Sequence, residues 1–326
     1  MLAAGLDFPL APERCPMSTQ KQIRTCSIWR ALEVIGDASI VMIIEASWLG
    51  AKRFDQFLEM TGLRKALISA RLKRLVEAGV MVKVPYSQRP PRYEYRLSQM
   101  GLDLYWVSLM MLRWERKWGS GKARDAVRLT HVSCGGEFEP VPQCLTCGEE
   151  FSAFDVSWRE GPGVGLMPEA YARRRQHREA VAARPDGPVL MVEAAQIIGD
   201  RWASLVLRAL FTGITSFEKI RADSGMATNI LSERLGWLQS QGLVASREGD
   251  EASGRGGYRL TRKSIDYYPV LVMLLRWGDS YFAAAEGSPL LLFHGDNAHP
   301  LDAAVVCSCC RKPLHPHDVR FDFTPG

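Results

Sequence analysis

The stretch SARLKRLVEAGV covers residues 69–80, and SERLGWLQSQGL covers residues 232–243. The second stretch begins 163 residues after the first, which is half the length of the 326-residue chain. Both are typical of an amphipathic helix that ends at a glycine, but the first carries three basic residues and the second carries one. Such a match over this distance indicates that a larger folding unit is written twice.

The same offset relates motifs along the whole chain. The matched pairs are Ile35-Gly36-Asp37 with Ile198-Gly199-Asp200, Phe54 with Phe217, Tyr95-Arg96-Leu97 with Tyr258-Arg259-Leu260, Arg113-Trp114 with Arg276-Trp277, and Cys144-x-x-Cys147 with Cys307-x-x-Cys310. Solenoid repeats are about 20 to 50 residues long, so this period indicates two copies of an entire folding unit. We therefore predict a tandem duplication.

Composition favours a protein without a membrane segment. Hydrophobic residues make up 47% of the chain, but no apolar run reaches the roughly 20 residues that span a bilayer, and Glu45 interrupts the best candidate. The N-terminal sequence lacks a basic segment ahead of an apolar one, so no secretory signal is expected. Six of the eight cysteines fall in the two CxxC regions, which suits metal or redox chemistry in a reducing cytoplasm.

Each half is predicted to fold as helices, a hairpin and a further helix. Apolar spacing predicts a helix over 27–35, and Asp37 is a suitable N-cap for a second helix; a short helix and a longer one ending near Gly79 follow. Alternation predicts strands over 80–84 and 93–97 around the loop 85–92, then a helix over 102–118. This order is typical of a winged helix-turn-helix. The predicted fold class is mainly α (α+β), with two such domains in tandem, each followed by a small Cys/His module.

The charge pattern favours binding of duplex DNA by the first copy. A winged helix-turn-helix places its second helix in the major groove and its hairpin near the flanking backbone. From Gly62 to Leu97, nine lysines and arginines stand against two glutamates, a net charge of +7, whereas Gly225 to Leu260 has four arginines and four acidic residues. Phosphate contacts supply most non-specific affinity, so the first copy is expected to dominate. The alternative is a helical bundle with a solvated basic face.

The candidate DNA-binding residues lie on the second helix of each pair and on the first wing. In the first copy they are Arg64, Lys65 and Ser69 for base edges, Arg71, Lys73 and Arg74 for phosphates, and Arg89 and Arg92 on the wing. In the second copy they are Thr228, Asn229, Ser232 and Arg234. Arg71 has an alternative role in an internal salt bridge, because its counterpart Arg234 survives. The second copy either reads bases weakly or serves dimerisation.

Four segments in order resemble the HxlR family of bacterial winged-helix transcriptional regulators: CSIWRALEVIGD, RFDQFLEMTGL, SARLKRLVEAGV and PYSQRPPRYEYRLSQMG. The resemblance covers residues 26–124 and, more weakly, 189–287. It implies sequence-specific DNA binding, a dimer held by terminal helices, and control by a small reactive inducer. A fused pair is expected to form an internal pseudo-dimer or a homodimer of whole chains. The resemblance also makes Cys26 a candidate redox sensor, with a small core residue as the alternative.

A cluster of cysteine and histidine follows each winged helix. The first, His131-x2-Cys134-x9-Cys144-x2-Cys147, has the residue types of a tetrahedral zinc site, with reduced buried thiols as the alternative. In the second cluster the aligned residues are His294, Cys307 and Cys310, but Asn297 stands where the first has Cys134. Its fourth ligand must then come from His299, Cys309, His315 or His317, or the site is without metal. The expected zinc set is complete only in the first module.

These observations divide the chain into five parts: winged helix-turn-helix domains at 26–124 and 189–287, Cys/His modules at 125–160 and 288–326, and a linker at 161–188. No nucleotide-binding loop, nucleophile elbow or pair of catalytic carboxylates is recognisable, so a non-enzymatic transcriptional regulator in the cytoplasm is the leading hypothesis. The alternatives are a thiol/disulfide redox enzyme that uses the CxxC pairs, and a second half that docks another protein through the linker residues Arg173, Arg174 and Arg175.

Overall fold

The computed structural model describes residues 22–119, 127–168, 190–247 and 256–323. The N-terminal segment, the three linker arginines and the tip of the second hairpin lie outside this described part. The helices are α1 (Ser27–Ile35), α2 (Ala38–Trp48), α3 (Phe54–Thr61), α4 (Lys65–Glu77), α5 (Gln99–Leu102), α6 (Tyr105–Trp118), α7 (Val192–Gly199), α8 (Arg201–Phe211), α9 (Phe217–Ser224), α10 (Thr228–Ser240), α11 (Arg262–Ile265) and α12 (Tyr268–Phe282).

The strands are short and pair antiparallel. They are β1 (Gln22–Arg24), β2 (Met81–Gln88), β3 (Pro91–Leu97), β4 (Val127–His131), β5 (Pro140–Cys144), β6 (Val156–Glu160), β7 (Leu166–Pro168), β8 (Val244–Arg247), β9 (Gly257–Leu260), β10 (Leu290–His294), β11 (His299–Pro300), β12 (Ala303–Cys307) and β13 (Val319–Phe323). The predicted fold class, α with smaller β elements in two tandem helix-turn-helix units, is confirmed. Within the described ranges, no helix is long and apolar enough to cross a membrane.

The predicted helix-turn-helix is present in both halves. The side chain of Asp37 accepts a hydrogen bond from the amide of Ser39, as expected of an N-cap. Gly62 ends α3 with φ of 66°, and Gly225 ends α9 with the same φ, a left-handed conformation that suits glycine and lets the next helix start after a sharp turn. The recognition helix α4 buries Ile68, Leu72 and Leu75 against the domain core.

The first wing is longer than the sequence predicted. Strands β2 and β3 extend through most of the predicted loop, so that only Arg89 and Pro90 lie between them. The amide of Tyr95 donates to the carbonyl of Lys52 at 2.7 Å, and Tyr258 donates to Thr215 at 2.9 Å, which ties each wing to the chain before the helix pair. The helix predicted over 102–118 is also corrected, because Ser98 caps a separate short helix, α5, before α6 begins.

The two halves pack against each other reciprocally. Helix α1 of the first half packs against α12 of the second, while α7 of the second half packs against α2 and α6 of the first. Helices α6 and α12 also contact each other, and the rings of Trp29 and Trp202 lie 4.9 Å apart between centroids. The described residues therefore include a continuous hydrophobic core to which both halves contribute.

The Cys/His modules are joined strand by strand. Strand β4 pairs with β13, β6 pairs with β10, and β5 pairs with β12, so each of these ladders crosses between the halves. In the last ladder Pro142 lies opposite Val305, its own counterpart at the repeat offset. The strands thus meet as two copies related by a local two-fold axis.

Candidate nucleic-acid interface and metal centres

One side of α4 is exposed and basic. Arg64 is the N-cap residue of this helix and Lys65 is its first residue, and both are exposed. Ser69 and Lys73 follow at intervals of four residues, and both are exposed as well. Residues four apart lie on the same face of a helix, so these side chains form a stripe along α4 opposite its buried face.

The wing adds two cations. Arg89 at the turn and Arg92 in β3 are exposed. Their neighbours are engaged: Arg96 pairs with Glu94 at 2.7 Å, and the ammonium of Lys83 lies 3.9 Å from the centroid of the Tyr93 ring. Within the described ranges Arg89 and Arg92, like the two cations at the start of α4, form no ion pair.

Two arginines predicted as DNA contacts form internal ion pairs. Arg71 Nη2 lies 2.7 Å from Oδ2 of Asp37, and Arg234 Nε lies 2.8 Å from Oδ2 of Asp200. Arg234 is 8% exposed, and both ion pairs agree with the salt-bridge alternative considered for Arg71, so a DNA contact of either arginine stays a prediction. In each half, the aspartate of this pair is also the N-cap of a preceding helix. Arg74 is also engaged, since its guanidinium donates to the carbonyl of Glu33.

The second helix-turn-helix presents a polar but uncharged helix start. Thr228, Asn229 and Ser232 are exposed on α10, as a base-reading surface requires. Ala227 and Thr228 occupy the positions of Arg64 and Lys65. The described part of this surface therefore lacks the cations that the first copy has at the start of its helix.

Cysteine and histidine side chains meet in two groups among the described residues. The first group consists of His131, Cys134, Cys307 and Cys310, and the second consists of Cys144, Cys147, His294 and His299. In each group the four candidate ligand atoms lie within 4.8 Å of one another. Each group draws two residues from each half of the chain.

The separations suit a tetrahedral ion. Nδ1 of His131 lies 3.4 Å from Sγ of Cys134 and 3.3 Å from Sγ of Cys310. The two sulfur atoms of Cys134 and Cys307 are 3.9 Å apart. Tetrahedral zinc with Zn–S bonds of about 2.3 Å places sulfur ligands about 3.8 Å apart, and sulfur and nitrogen slightly closer. The donor set and its spacing therefore fit zinc.

The second group has the same form. Cys144 Sγ lies 3.4 Å from Nε2 of His299, and Cys147 Sγ lies 3.3 Å from Nδ1 of His294. Burial alone would raise the pKa of the Cys144 thiol, but hydrogen bonds from His299 and from backbone amides lower that pKa to about 6. His299 supplies the fourth ligand position two residues after Asn297.

The structure corrects the grouping predicted from the sequence. His131 and Cys134 do not meet Cys144 and Cys147. They meet the CxxC pair of the other half, because β5 and β12, which end at Cys144 and Cys307, pair antiparallel between the halves. Of the proposed replacements for Asn297, His299 joins a group, whereas Cys309 is exposed and donates to the carbonyl of Glu137. The signal available in the sequence was the histidine at 299, but no spacing rule distinguishes pairing within a repeat from pairing between repeats.

Sequence reasoning missed two buried carboxylates at the junction of the halves. Glu45 accepts hydrogen bonds from the amides of Leu190 and Met191, and Glu115 accepts from the amides of Glu193 and Ala194 at the start of α7. Burial raises the pKa of Glu45 to about 8 and that of Glu115 to about 7. Both glutamates stand among apolar residues of their helices, and this is the one signal of their burial in the sequence.

Cys26, the candidate sensor, begins α1 and is 5% exposed. It lies at the N-terminal end of the helix beside Thr25 and Ser27. Its placement agrees with the alternative of a small core residue, and the sensor role stays a prediction.

Comparisons with known proteins match both halves. A model of the HxlR-like helix-turn-helix family matches residues 34–123 and 197–286. An uncharacterized HTH-type transcriptional regulator of Mycobacterium tuberculosis is 35% identical over 137 residues, covering 42% of this chain and 87% of that protein. The HTH-type regulator YdeP of Bacillus subtilis is 29% identical over 94 residues, covering 28% of this chain and 73% of that protein.

Two solved structures match part of this chain with low TM-scores. A crystal structure described as that of a transcription factor is 33% identical and covers 39% of this chain and 90% of its own, with a TM-score of 0.36. Another, from Pseudomonas aeruginosa, is 25% identical and covers 48% of this chain and 97% of its own, with a TM-score of 0.25. The family matches span more than half of the chain, so it belongs to the HxlR-like helix-turn-helix family and carries that family's domain twice.

Proposed function

We propose that this chain is a DNA-binding transcriptional regulator in which the first winged helix supplies most of the affinity and reads the sequence. The observation that carries the proposal is the set of exposed cations, Arg64 and Lys65 at the start of α4 and Arg89 and Arg92 on the wing. Unpaired cations can release counterions from phosphates on binding, which is the main source of affinity for duplex DNA.

The second winged helix has a different role in this proposal. The support is the reciprocal packing of α1 on α12 and of α7 on α6, which is the pattern expected when two copies of one unit pair about a two-fold axis. We infer that the chain acts as an internal pseudo-dimer. Its second head adds a weak contact through Thr228, Asn229 and Ser232, since the start of α10 offers hydrogen-bonding groups without cations.

Genomic footprinting tests this assignment directly. The intact chain is compared with Arg64→Ala/Lys65→Ala and with Thr228→Ala/Asn229→Ala, which removes two polar side chains at the start of α10 in the second copy. We expect the first variant to lose most footprints and the second to keep their positions with reduced occupancy. Equal footprints from the intact chain and the first variant would remove α4 as the principal recognition helix.

We also propose that each Cys/His group binds one zinc ion and thereby joins the two halves. The support is the set of donors, two thiols with two imidazoles or three thiols with one imidazole, at separations that fit a tetrahedral ion. Because each group takes two ligands from each half, an ion bound there closes a link between residues far apart in sequence. The role is structural and adds to the strand pairing across the local two-fold axis.

A further inference from the structure

The two halves differ at one position of their shared core in a way that points to a ligand. Glu45 in α2 accepts hydrogen bonds from the amides of Leu190 and Met191. The counterpart of Glu45 in α8 is Arg208, and the counterparts of the two amides belong to Ser27 and Ile28 in the first turn of α1. Within the described ranges no side chain caps this helix start. A carboxylate present in one half is thus missing from the other.

The counterpart of Glu115 is absent as well. Glu115 accepts hydrogen bonds from the amides of Glu193 and Ala194. Its equivalent in the second half is Gly278, which has no side chain and lies against the backbone of Ser27. A Cβ at Gly278 would stand 2.4 Å from the Ser27 carbonyl oxygen, so this position cannot carry a longer side chain without movement of α1. The start of α1 therefore carries the positive end of a helix dipole, but it lacks the two carboxyl groups that accept hydrogen bonds from the amides at the start of α7.

An arginine takes the place of the missing acid. The side chain of Arg208 is 9% exposed, and its Nη2 donates to Asp223, but its Nε is buried without a partner in the described structure. Arg24 also faces Asp223, at 3.5 Å, and pairs with the exposed Glu160. Near the start of α1, Asp279 accepts a hydrogen bond from the Ser27 hydroxyl. A buried guanidinium nitrogen without an acceptor costs free energy that an anionic oxygen would recover.

Arg208 lies in the wall of a mostly apolar pocket that is partly open to solvent. Aromatic rings of Trp158, Phe211 and Tyr268 line it together with leucines. It adjoins a second, smaller pocket that reaches the start of α1. In the first half, Trp48 stands at the position of Phe211, packs on Tyr105 at 4.9 Å, and donates to Ser108. The first half thus has a larger ring and its own carboxylate where the second has a cavity and a cation.

We propose that this cavity binds a small aryl-substituted carboxylic acid. The aryl group lies among Trp158, Phe211 and Tyr268, and the carboxylate accepts from Arg208 and from the amides at the start of α1, as Glu45 accepts from Leu190 and Met191 in the other half. Small-molecule sites in proteins are typically mostly apolar, with a few convergent polar groups that fix the orientation of the ligand.

Isothermal titration of the full chain, without DNA, tests the proposal with 3-phenylpropionate as the probe and 3-phenylpropionamide as its neutral match. We expect the acid to bind with a Kd of about 1 mM or tighter, and the amide at least about tenfold more weakly. Arg208→Gln should raise the Kd for the acid by about tenfold or more. Phe211→Trp/Thr212→Leu, which copies the first half, should abolish binding by filling the cavity, with the fold checked by circular dichroism.

The Arg64→Ala/Lys65→Ala variant is the control, because it should bind the acid like the intact chain whatever its affinity for DNA. No heat of binding at about 10 mM acid would overturn the proposal. Equal binding of acid and amide would also overturn it, as would unchanged binding in Arg208→Gln or in the cavity-filled variant. Since DNA is absent from the titration, these results are separate from the test of the recognition helix.

Discussion

Arg71 on the recognition helix and Asp37 at the start of α2 form an ion pair at 2.7 Å, and Arg234 and Asp200 repeat it at 2.8 Å in the second half. Each aspartate also caps its helix, so one carboxylate fixes both the start of that helix and the position of the recognition helix. This double use explains why Arg234 remains in a copy whose other basic positions on this helix have changed. The pair therefore links two helices within each head.

Replacing these arginines should cost folding stability. We expect Arg234→Ala to lower the free energy of unfolding by about 3 to 5 kcal/mol, because it leaves Asp200 buried without its cation. Arg71→Ala should cost less, about 1 to 2 kcal/mol, because Asp37 is partly exposed. Urea denaturation of the full chain, followed by circular dichroism, measures both.

The matched control is Lys73→Ala. Lys73 lies on the same helix and pairs with Glu77 at 3.7 Å on the exposed surface, so its loss should change stability by no more than about 0.5 kcal/mol. If Arg234→Ala unfolds at the same urea concentration as this control, the pair does not hold the recognition helix in place.

The local elements were predictable because their causes are local. Asp37 as an N-cap, Gly62 before the recognition helix, and the alternation of β2 and β3 are written in neighbouring residues. The wing was predicted too short, since Pro85 was assigned to a loop, whereas it lies in β2 at an irregularity of the ladder between Pro85 and Ser87.

The metal groups were not predictable in the same way. Every one of the seven predicted ligands lies in a group, but the sequence placed His131 with Cys144, and the structure places it with Cys310. The two arrangements contain the same residue types, so they differ only in which strands pair. That choice depends on packing between the halves, as does the contact of Glu45 with Leu190, and neither leaves a periodic pattern in the chain.

Loss of the wing cations should weaken DNA binding without changing its sequence preference. Arg89→Ala/Arg92→Ala removes two exposed charges that have no ion-pair partner within the described ranges, and each phosphate contact contributes about one unit to the slope of log K against log salt. We expect lower affinity for specific and random duplexes alike, and a slope reduced by up to about 2. Titrations at several salt concentrations measure both quantities.

The comparison variant is Arg247→Ala/Arg259→Ala on the second hairpin. Both arginines are exposed, but the second head is expected to contribute less, so the salt slope should change by less than about 1. If this variant loses more DNA affinity and more of the salt slope than Arg89→Ala/Arg92→Ala does, the assigned roles of the two heads are reversed.

Stability should fall as pH rises from about 5 to about 8. Burial raises the pKa of Glu45 to about 8 and that of Glu115 to about 7, whereas in the unfolded chain both carboxyls lose their protons near pH 4 to 5. Between these limits the folded state holds more protons than the unfolded state, so ionisation favours unfolding. Each such group contributes a slope of up to about 1.4 kcal/mol per pH unit.

Glu45→Gln should flatten this dependence, because the amide keeps an oxygen acceptor for Leu190 but has no proton to lose. Glu59→Gln, an exposed position on α3, should leave the curve unchanged. Urea midpoints measured at intervals from pH 5 to pH 8 compare the three proteins. A curve for Glu45→Gln as steep as that of the intact chain would show that this carboxyl is already ionised in the folded state.

Metal content distinguishes the two ways in which the ligands can be grouped. Chains purified from zinc-containing medium should hold about two zinc ions by mass spectrometry of the metal, one for each group. If the halves share their sites, Cys134→Ser/Cys310→Ser removes ligands from one group and should lose one ion, whereas Cys134→Ser/Cys147→Ser damages both groups and should lose two. Grouping within each repeat gives the opposite order, because Cys134 and Cys147 would then serve the same ion. An intact chain that binds no zinc and turns over a disulfide substrate would instead support the redox alternative for the CxxC pairs.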